Sequence, residues 1–201
     1  MAYFSHLMKT LVIHPADHTT EFLMEIYANL KNKTVINGGI PKLGLRKLIE
    51  THDRIFMLGH GSPWGLLSVG QFPNTNGYII DDSMAVELKE KTSNLYIWCH
   101  ADQFVRRHGL SGLNSGMFIS EVVESIIYGF EYVDWTTVEK SNEIFVHIVS
   151  KYINEPMGVL YERLIYEYSL LARTNPIAKF NLERLYCNSP SPKKNLNKLA
   201  G

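Results

Sequence analysis

Short apolar runs alternate along the chain with longer stretches in which apolar residues recur at helical spacing. That alternation predicts an α/β domain built on a mostly parallel sheet. The runs are Thr10-Leu11-Val12-Ile13, Thr34-Val35-Ile36, Ile55-Phe56-Met57-Leu58, Leu95-Tyr96-Ile97-Trp98 and Met117-Phe118-Ile119. The third contains no polar residue, which marks a central strand covered on both faces, and the fourth is read as central with it. After the first run, Asp17 to Thr20 offers caps for a helix carrying Phe22, Leu23, Ile26, Tyr27 and Leu30. Pro41 suits the first turn of a helix carrying Leu45, Leu48 and Ile49, and Asp82 suits the cap of another that runs to about Lys91. Gly65 to Val69 and Tyr78 to Ile80 flank a loop rich in Pro, Asn and Gly and predict a hairpin. Helical period returns at Val122, Val123, Ile126, Ile127 and Phe130, then over Ser141 to Asn154, over Pro156 to Ala172, and from Asn175-Pro176. Tyr152, Tyr161, Tyr168 and His147 follow that period, and packing is their expected use.

The 201 residues suit one domain, expected over residues 1–187. From Asn188 on, Pro, Ser and Lys193, Lys194 and Lys198 predict a disordered basic tail. Equal numbers of basic and acidic residues give zero net charge, which argues against a broad nucleic-acid or anionic-membrane surface. The apolar runs fall far short of the ~20 residues that span a bilayer, and no export signal is visible. Two cysteines are too few for a disulfide framework and fit a reducing compartment, so the expected location is the cytoplasm.

Ligands and reacting groups of parallel sheets gather at the carboxyl ends of the strands. Two of the strongest runs end in reactive side chains: His60 follows Ile55 to Gly59, and Cys99 follows Leu95 to Trp98. Parallel strands would carry both to one rim, and the 38 residues between them suffice for a crossover with a helix. A thiol beside an imidazole is the pair that nucleophilic catalysis needs, because the imidazole takes the thiol proton and later protonates the leaving amine. Taken singly, a cysteine at a strand end is a small buried hydrophobe and a histidine between glycines a turn residue. Their joint placement separates the two readings. His14 and Asp17 follow the first strand onto the same rim, where they would assist substrate binding or orient His60, or Asp17 would cap a helix.

The sequence Ile55-Phe56-Met57-Leu58-Gly59-His60-Gly61, followed by Leu95-Tyr96-Ile97-Trp98-Cys99, resembles the caspase-like cysteine peptidases, among them caspases, metacaspases, gingipains and clostripain. The resemblance in element order covers roughly residues 10 to 150, and Cys99-His100 looks like the Cys-His pair of metacaspases. It implies a three-layer α/β/α caspase-like fold with a mostly parallel central sheet, here with extra C-terminal helices. It also implies a cysteine peptidase acting on peptides or proteins without a cofactor. Cys99 would be the nucleophile, His60 the base and acid, and the backbone N–H groups of Gly61 and Cys99 the oxyanion donors. Asp102, with His100 beside it, would help bind a basic substrate side chain, or Asp102 would cap the following helix. Trp98 stands where members often have a small residue, and Ile97 where metacaspases carry an aspartate. The competing class is a caspase-like module without catalysis that binds a protein partner through the same rim.

Other chemistries fail on spacing. Arg106 follows Cys99 one residue too late for a phosphatase loop, Ser62 lacks the glycines of a hydrolase elbow, and no glycine-rich phosphate loop occurs. No ligand pairs at zinc spacing are present, and adjacent Cys99 and His100 would point to opposite faces of an extended segment.

Overall fold

A computed structural model describes residues 8–70 and 77–188. A six-stranded sheet forms the middle layer: β1 (Thr10–Ile13), β2 (Lys33–Ile36), β3 (Arg54–Leu58), β7 (Asn94–Ile97), β8 (Gly112–Ser115) and β9 (Leu185–Asn188), in the spatial order β2-β1-β3-β7-β8-β9. All neighbours run parallel except β9, which is antiparallel to β8. Three short strands, β4 (Gly61–Ser62), β5 (Gly65–Leu67) and β6 (Tyr78–Ile80), make a separate antiparallel sheet that contains the expected hairpin.

Side chains alternate across a strand, and the alternation divides the core in two. Val12, Phe56, Leu58, Leu95 and Ile97 face one helical layer, whose core residues include Ile26, Phe145, Leu160 and Leu164. These come from α1 (Glu25–Ala28), α6 (Trp135–Tyr152) and α7 (Met157–Ala172), with α8 (Pro176–Leu182) contributing Ala178. Leu11, Ile13, Ile55, Met57, Tyr96 and Trp98 face the opposite layer, where α2 (Lys42–Thr51), α3 (Ala85–Lys89) and α4 (Ala101–His108) supply Leu45, Ile49, Leu88, Phe104 and Val105. A sheet with helices on both faces is thus the architecture, and α6 to α8 are the additional C-terminal helices. Among the described residues, no helix is long and apolar enough to cross a membrane.

Three expectations need correction. The fifth parallel strand is Gly112–Ser115, not Met117-Phe118-Ile119. Only Leu113 in it is a large apolar residue, yet every position is buried, because the polar ones find partners. Asn114 Nδ2 donates to Asn188 Oδ1 at 2.7 Å and Ser115 Oγ to the Trp98 carbonyl at 2.9 Å. Phe118 and Ile119 are buried all the same, in a segment that pairs with a side chain instead of a strand. Asn181 Oδ1 accepts from the Ile119 N–H at 2.8 Å, and its Nδ2 donates to the Ile119 carbonyl at 2.9 Å. The second correction concerns Asn188, which closes β9 and does not begin a tail; the remaining residues of the expected tail lie outside those described. The third is His147, expected to pack but exposed on α6, 3.7 Å from Glu25; Tyr168 is fully buried as expected, its hydroxyl 2.6 Å from Ser141 Oγ.

Replacing Asn181 by leucine removes both partners of the Ile119 backbone inside the core. The expected loss is about 3 kcal/mol of unfolding free energy in a urea titration; a loss below about 1 kcal/mol would show that the pairing is dispensable.

Candidate active site

The carboxyl rim of the sheet is where the loops after β1, β3, β7 and β8 meet. β3 and β7 are hydrogen-bonded neighbours with Leu58 opposite Ile97, and the Gly59 N–H continues the ladder to the Ile97 carbonyl at 3.1 Å. His60 and Cys99 each lie two residues beyond that pair. Neighbouring strands are about 4.8 Å apart, so the two side chains start from adjacent stretches of backbone. Both line one narrow pocket of about 20 Å³, room for little more than one water, together with Thr20, Phe22, Phe118 and Ser120.

The His60 ring is held from the β1 loop. Asp17 Oδ1 accepts from the Thr19 N–H at 3.0 Å and from Thr19 Oγ1 at 2.7 Å. Thr19 Oγ1 in turn lies 2.7 Å from His60 Nε2, and Asp17 Oδ2 is 3.3 Å from the same nitrogen. A threonine hydroxyl has one hydrogen to give. With that hydrogen on Asp17, the oxygen accepts from His60 Nε2–H, so the neutral ring keeps its lone pair on Nδ1. Burial pushes the Asp17 carboxyl up, but the hydrogen bonds from Thr19 and Thr20 and the nearby His60 outweigh it and hold the carboxyl below its usual range. The anion beside Nε2 is therefore maintained.

Cys99 sits where β7 breaks into α4. His100, the residue after it, is in the left-handed region at φ 67°, one of two non-glycine residues so placed among those described. This left-handed residue turns the chain sharply from β7 into α4 directly after the thiol. Trp98 ties the two arms together: its Nε1 donates to the Ser62 carbonyl at 3.0 Å, and its ring lies against Gly61. A Cβ at Gly61 would fall 2.0 Å from Trp98 Cδ1, so only glycine fits there. The Cys99 thiol donates to the Phe118 carbonyl at 3.7 Å, and no hydrogen bond joins it to His60 among the described residues. Burial pushes the thiol up to about 11; the Phe118 backbone pulls it back in part, and the Glu124 charge adds to the rise.

The other expected residues separate. Asp102 is in the first turn of α4, paired with Arg106 at 2.7 Å, and faces a surface shared with Gln103 and Arg107, away from the pocket. His100 stands at the start of the same helix without a side-chain capping bond, its Nδ1 3.5 Å from Gln103 Nε2. His14 is sealed from solvent and so touches no substrate; its Nδ1 lies 3.0 Å from the Tyr27 hydroxyl. Burial drives its pKa down to about 4, against the smaller upward pull of the Thr20 backbone and Asp17. Thr19, which holds the His60 ring, and Phe118, which lines the pocket, are residues that sequence reasoning missed. Thr19 reads as one of several capping residues, and Phe118 as the middle of a strand. Among the described residues, no three His, Cys, Asp or Glu side chains gather into a metal-binding group.

Two outcomes follow for stability. The folded pKa of His14 lies below the unfolded value, so the unfolded chain takes up its proton first as pH falls. The contribution is full above about pH 6.5 and is lost as pH falls through about 4. Urea midpoints measured down this range should show a loss of about 3 kcal/mol that His14→Phe lacks; equal slopes in both proteins would refute the buried neutral state. His100→Gly relieves the left-handed strain and should raise stability by up to about 1 kcal/mol. His100→Val should lower it in the same titration.

Comparison of the chain with protein-family models, with curated proteins and with solved structures finds no match. The chemistry of the rim therefore rests on its own geometry.

Proposed function

We propose that the protein is a cysteine peptidase of caspase-like type, with Cys99 as nucleophile and His60 as general base and acid. The observation that carries this reading is the common register of β3 and β7, which delivers an imidazole and a thiol into one pocket at the carboxyl rim. The Thr19–Asp17 arrangement on Nε2 leaves the lone pair on Nδ1 and holds the ring in that tautomer and orientation.

In the reaction, His60 Nδ1 takes the Cys99 proton and the thiolate attacks the peptide carbonyl carbon. The backbone N–H groups of Gly61 and Cys99 are the expected donors to the oxyanion. Collapse of the tetrahedral adduct breaks the C–N bond, the amine leaves with the proton from His60, and a thioester remains. Water, deprotonated by the same nitrogen, hydrolyses the thioester and restores the thiol. For the first step Cys99 must exchange the Phe118 carbonyl for His60 Nδ1.

That exchange is also where the second reading enters. A buried thiol raised to about 11 and bonded to a backbone carbonyl favours a module that keeps the rim for binding a protein partner without turnover. The pH–rate profile of Cys99 alkylation by iodoacetamide, in wild type and His60→Ala, separates the two. The peptidase reading expects a midpoint below the ~8.5 of a free cysteine that moves up when His60 is removed, with peptide hydrolysis falling about 10²–10⁴-fold in the same variant. A midpoint near 11 that ignores His60, with no hydrolysis, would sink it in favour of the binding module.

A further inference from the structure

The helical spacing of Val122, Val123, Ile126, Ile127 and Phe130 predicts a helix that buries an apolar face. α5 (Val122–Ile127) forms there, but the one buried residue in it is Ser125, whose Oγ donates to the Val122 carbonyl at 2.7 Å. Val123, Ile126 and Ile127, at three- and four-residue spacing, face outward, and Ile127 is 74% exposed. The chain then adds Tyr128, Tyr132, which is 98% exposed, and Trp135, 62% exposed at the start of α6. Val123 and Trp135 line one groove of about 530 Å³, so the two ends of this stretch lie side by side. A helix turned apolar side out is unfavourable in water unless another surface covers it.

The size of the patch bears on what covers it. An aromatic side chain in full contact covers about 150–250 Å². At their exposures the six residues present on the order of 800 Å², above the roughly 300–600 Å² of the largest apolar patch on an ordinary monomer. One partner in a standard stable interface contributes about 800 Å². The patch thus has the area of one half of a stable interface, and it carries Trp and Tyr, the residue types that anchor such interfaces.

Charge selects the occupant. On the groove side, Glu121 and Glu139 stand beside Val123 and Trp135. On the other side Tyr128 packs on Phe180 of α8, with 5.3 Å between ring centroids. Exposed Lys179 precedes Phe180, and the Arg184 guanidinium lies over the Phe180 ring at 3.5 Å. A surface acidic on one flank and basic on the other is complementary to its own copy turned about a two-fold axis running between the flanks. Equal numbers of acidic and basic residues leave no net repulsion between copies.

We propose that the protein forms a two-fold dimer in which α5 packs on α5 of a second copy. Tyr132 and Trp135 are its anchors, and Glu121 and Glu139 of each copy face Lys179 and Arg184 of the other. The contact joins helices and leaves the outer strands of the sheet, β2 and β9, unused. It is independent of the chemistry assigned to Cys99 and His60.

The test is analytical ultracentrifugation of the full chain from about 0.1 to 100 μM, the range in which the weaker interfaces of this size dissociate. The wild type should be a dimer at the upper end. Ile127→Glu sets a carboxylate close to the axis in both copies and should weaken the dimer at least about a hundredfold. Lys179→Glu should weaken it about tenfold. Tyr166→Ser removes an equally exposed aromatic of α7, outside the patch, and should change it less than about threefold. All three positions are exposed, and urea midpoints of the diluted monomers check that each variant is folded. A monomer at every concentration, assembly beyond a dimer, or a dimer that survives Ile127→Glu would overturn the proposal. So would a monomer that binds phosphatidylcholine vesicles and loses them with Ile127→Glu, a result that would assign the patch to a lipid surface.

Discussion

The register between β3 and β7 is the constraint from which the rest of the rim follows. In a parallel pair with both faces buried, a slip of one residue would exchange the two cores. Phe56 and Leu58 would leave the face they share with Leu95 and Ile97, and Met57 would leave Tyr96. The hydrophobic alternation therefore locks Leu58 opposite Ile97, and that lock places the residues two positions beyond each at the same height. Trp98 continues the lock above the sheet. It belongs to the core facing α4, yet its indole N–H holds Ser62 and its ring leaves room only for a glycine at 61. A bulky residue next to the thiol, unusual among the peptidases that the sequence resembles, here serves as the brace between the two loops.

Charge around the rim is uneven. Asp17 stands beside the imidazole, and Glu124 acts on the thiol. Anions near a cysteine oppose thiolate formation. The charge of Glu124 thus adds to the burial that makes the resting thiol a weak acid.

The elements legible in the sequence were those whose burial is hydrophobic on both faces. β1, β3 and β7 are nearly pure runs of large apolar residues, and the strand ends that carry His60 and Cys99 could be read from them directly. β8 was not legible, since Asn114 and Ser115 are buried through hydrogen bonds to Asn188 and Trp98 that only the assembled sheet provides. Met117-Phe118-Ile119 looked like the strand because Phe118 and Ile119 are core residues; the Ile119 backbone is served by Asn181, 62 residues away. β9 is short, and Tyr186 and Cys187 are only partly covered, so no periodicity announces it. At the site, Asp17 was legible as a residue on the correct rim. Its route to His60 through Thr19 depends on a loop conformation that composition does not encode. Asp102 was misplaced because its partner is a local one, Arg106 one helical turn away.

The antiparallel strand β9 carries a consequence for how the chain reaches this state. Gly112 pairs with Asn188, so the outer edge of β8 stays open while the intervening segment, including α6, α7 and α8, is being synthesised. An open parallel edge is a template for any other extended segment. During synthesis β8 is therefore the place where a nascent chain meets competitors, whether a chaperone or a second nascent copy. Its low apolar content, with Asn114 and Ser115 beside a single leucine, makes that exposed edge a poor nucleus for aggregation. The polarity that hid β8 in the sequence protects the protein until its last described strand arrives.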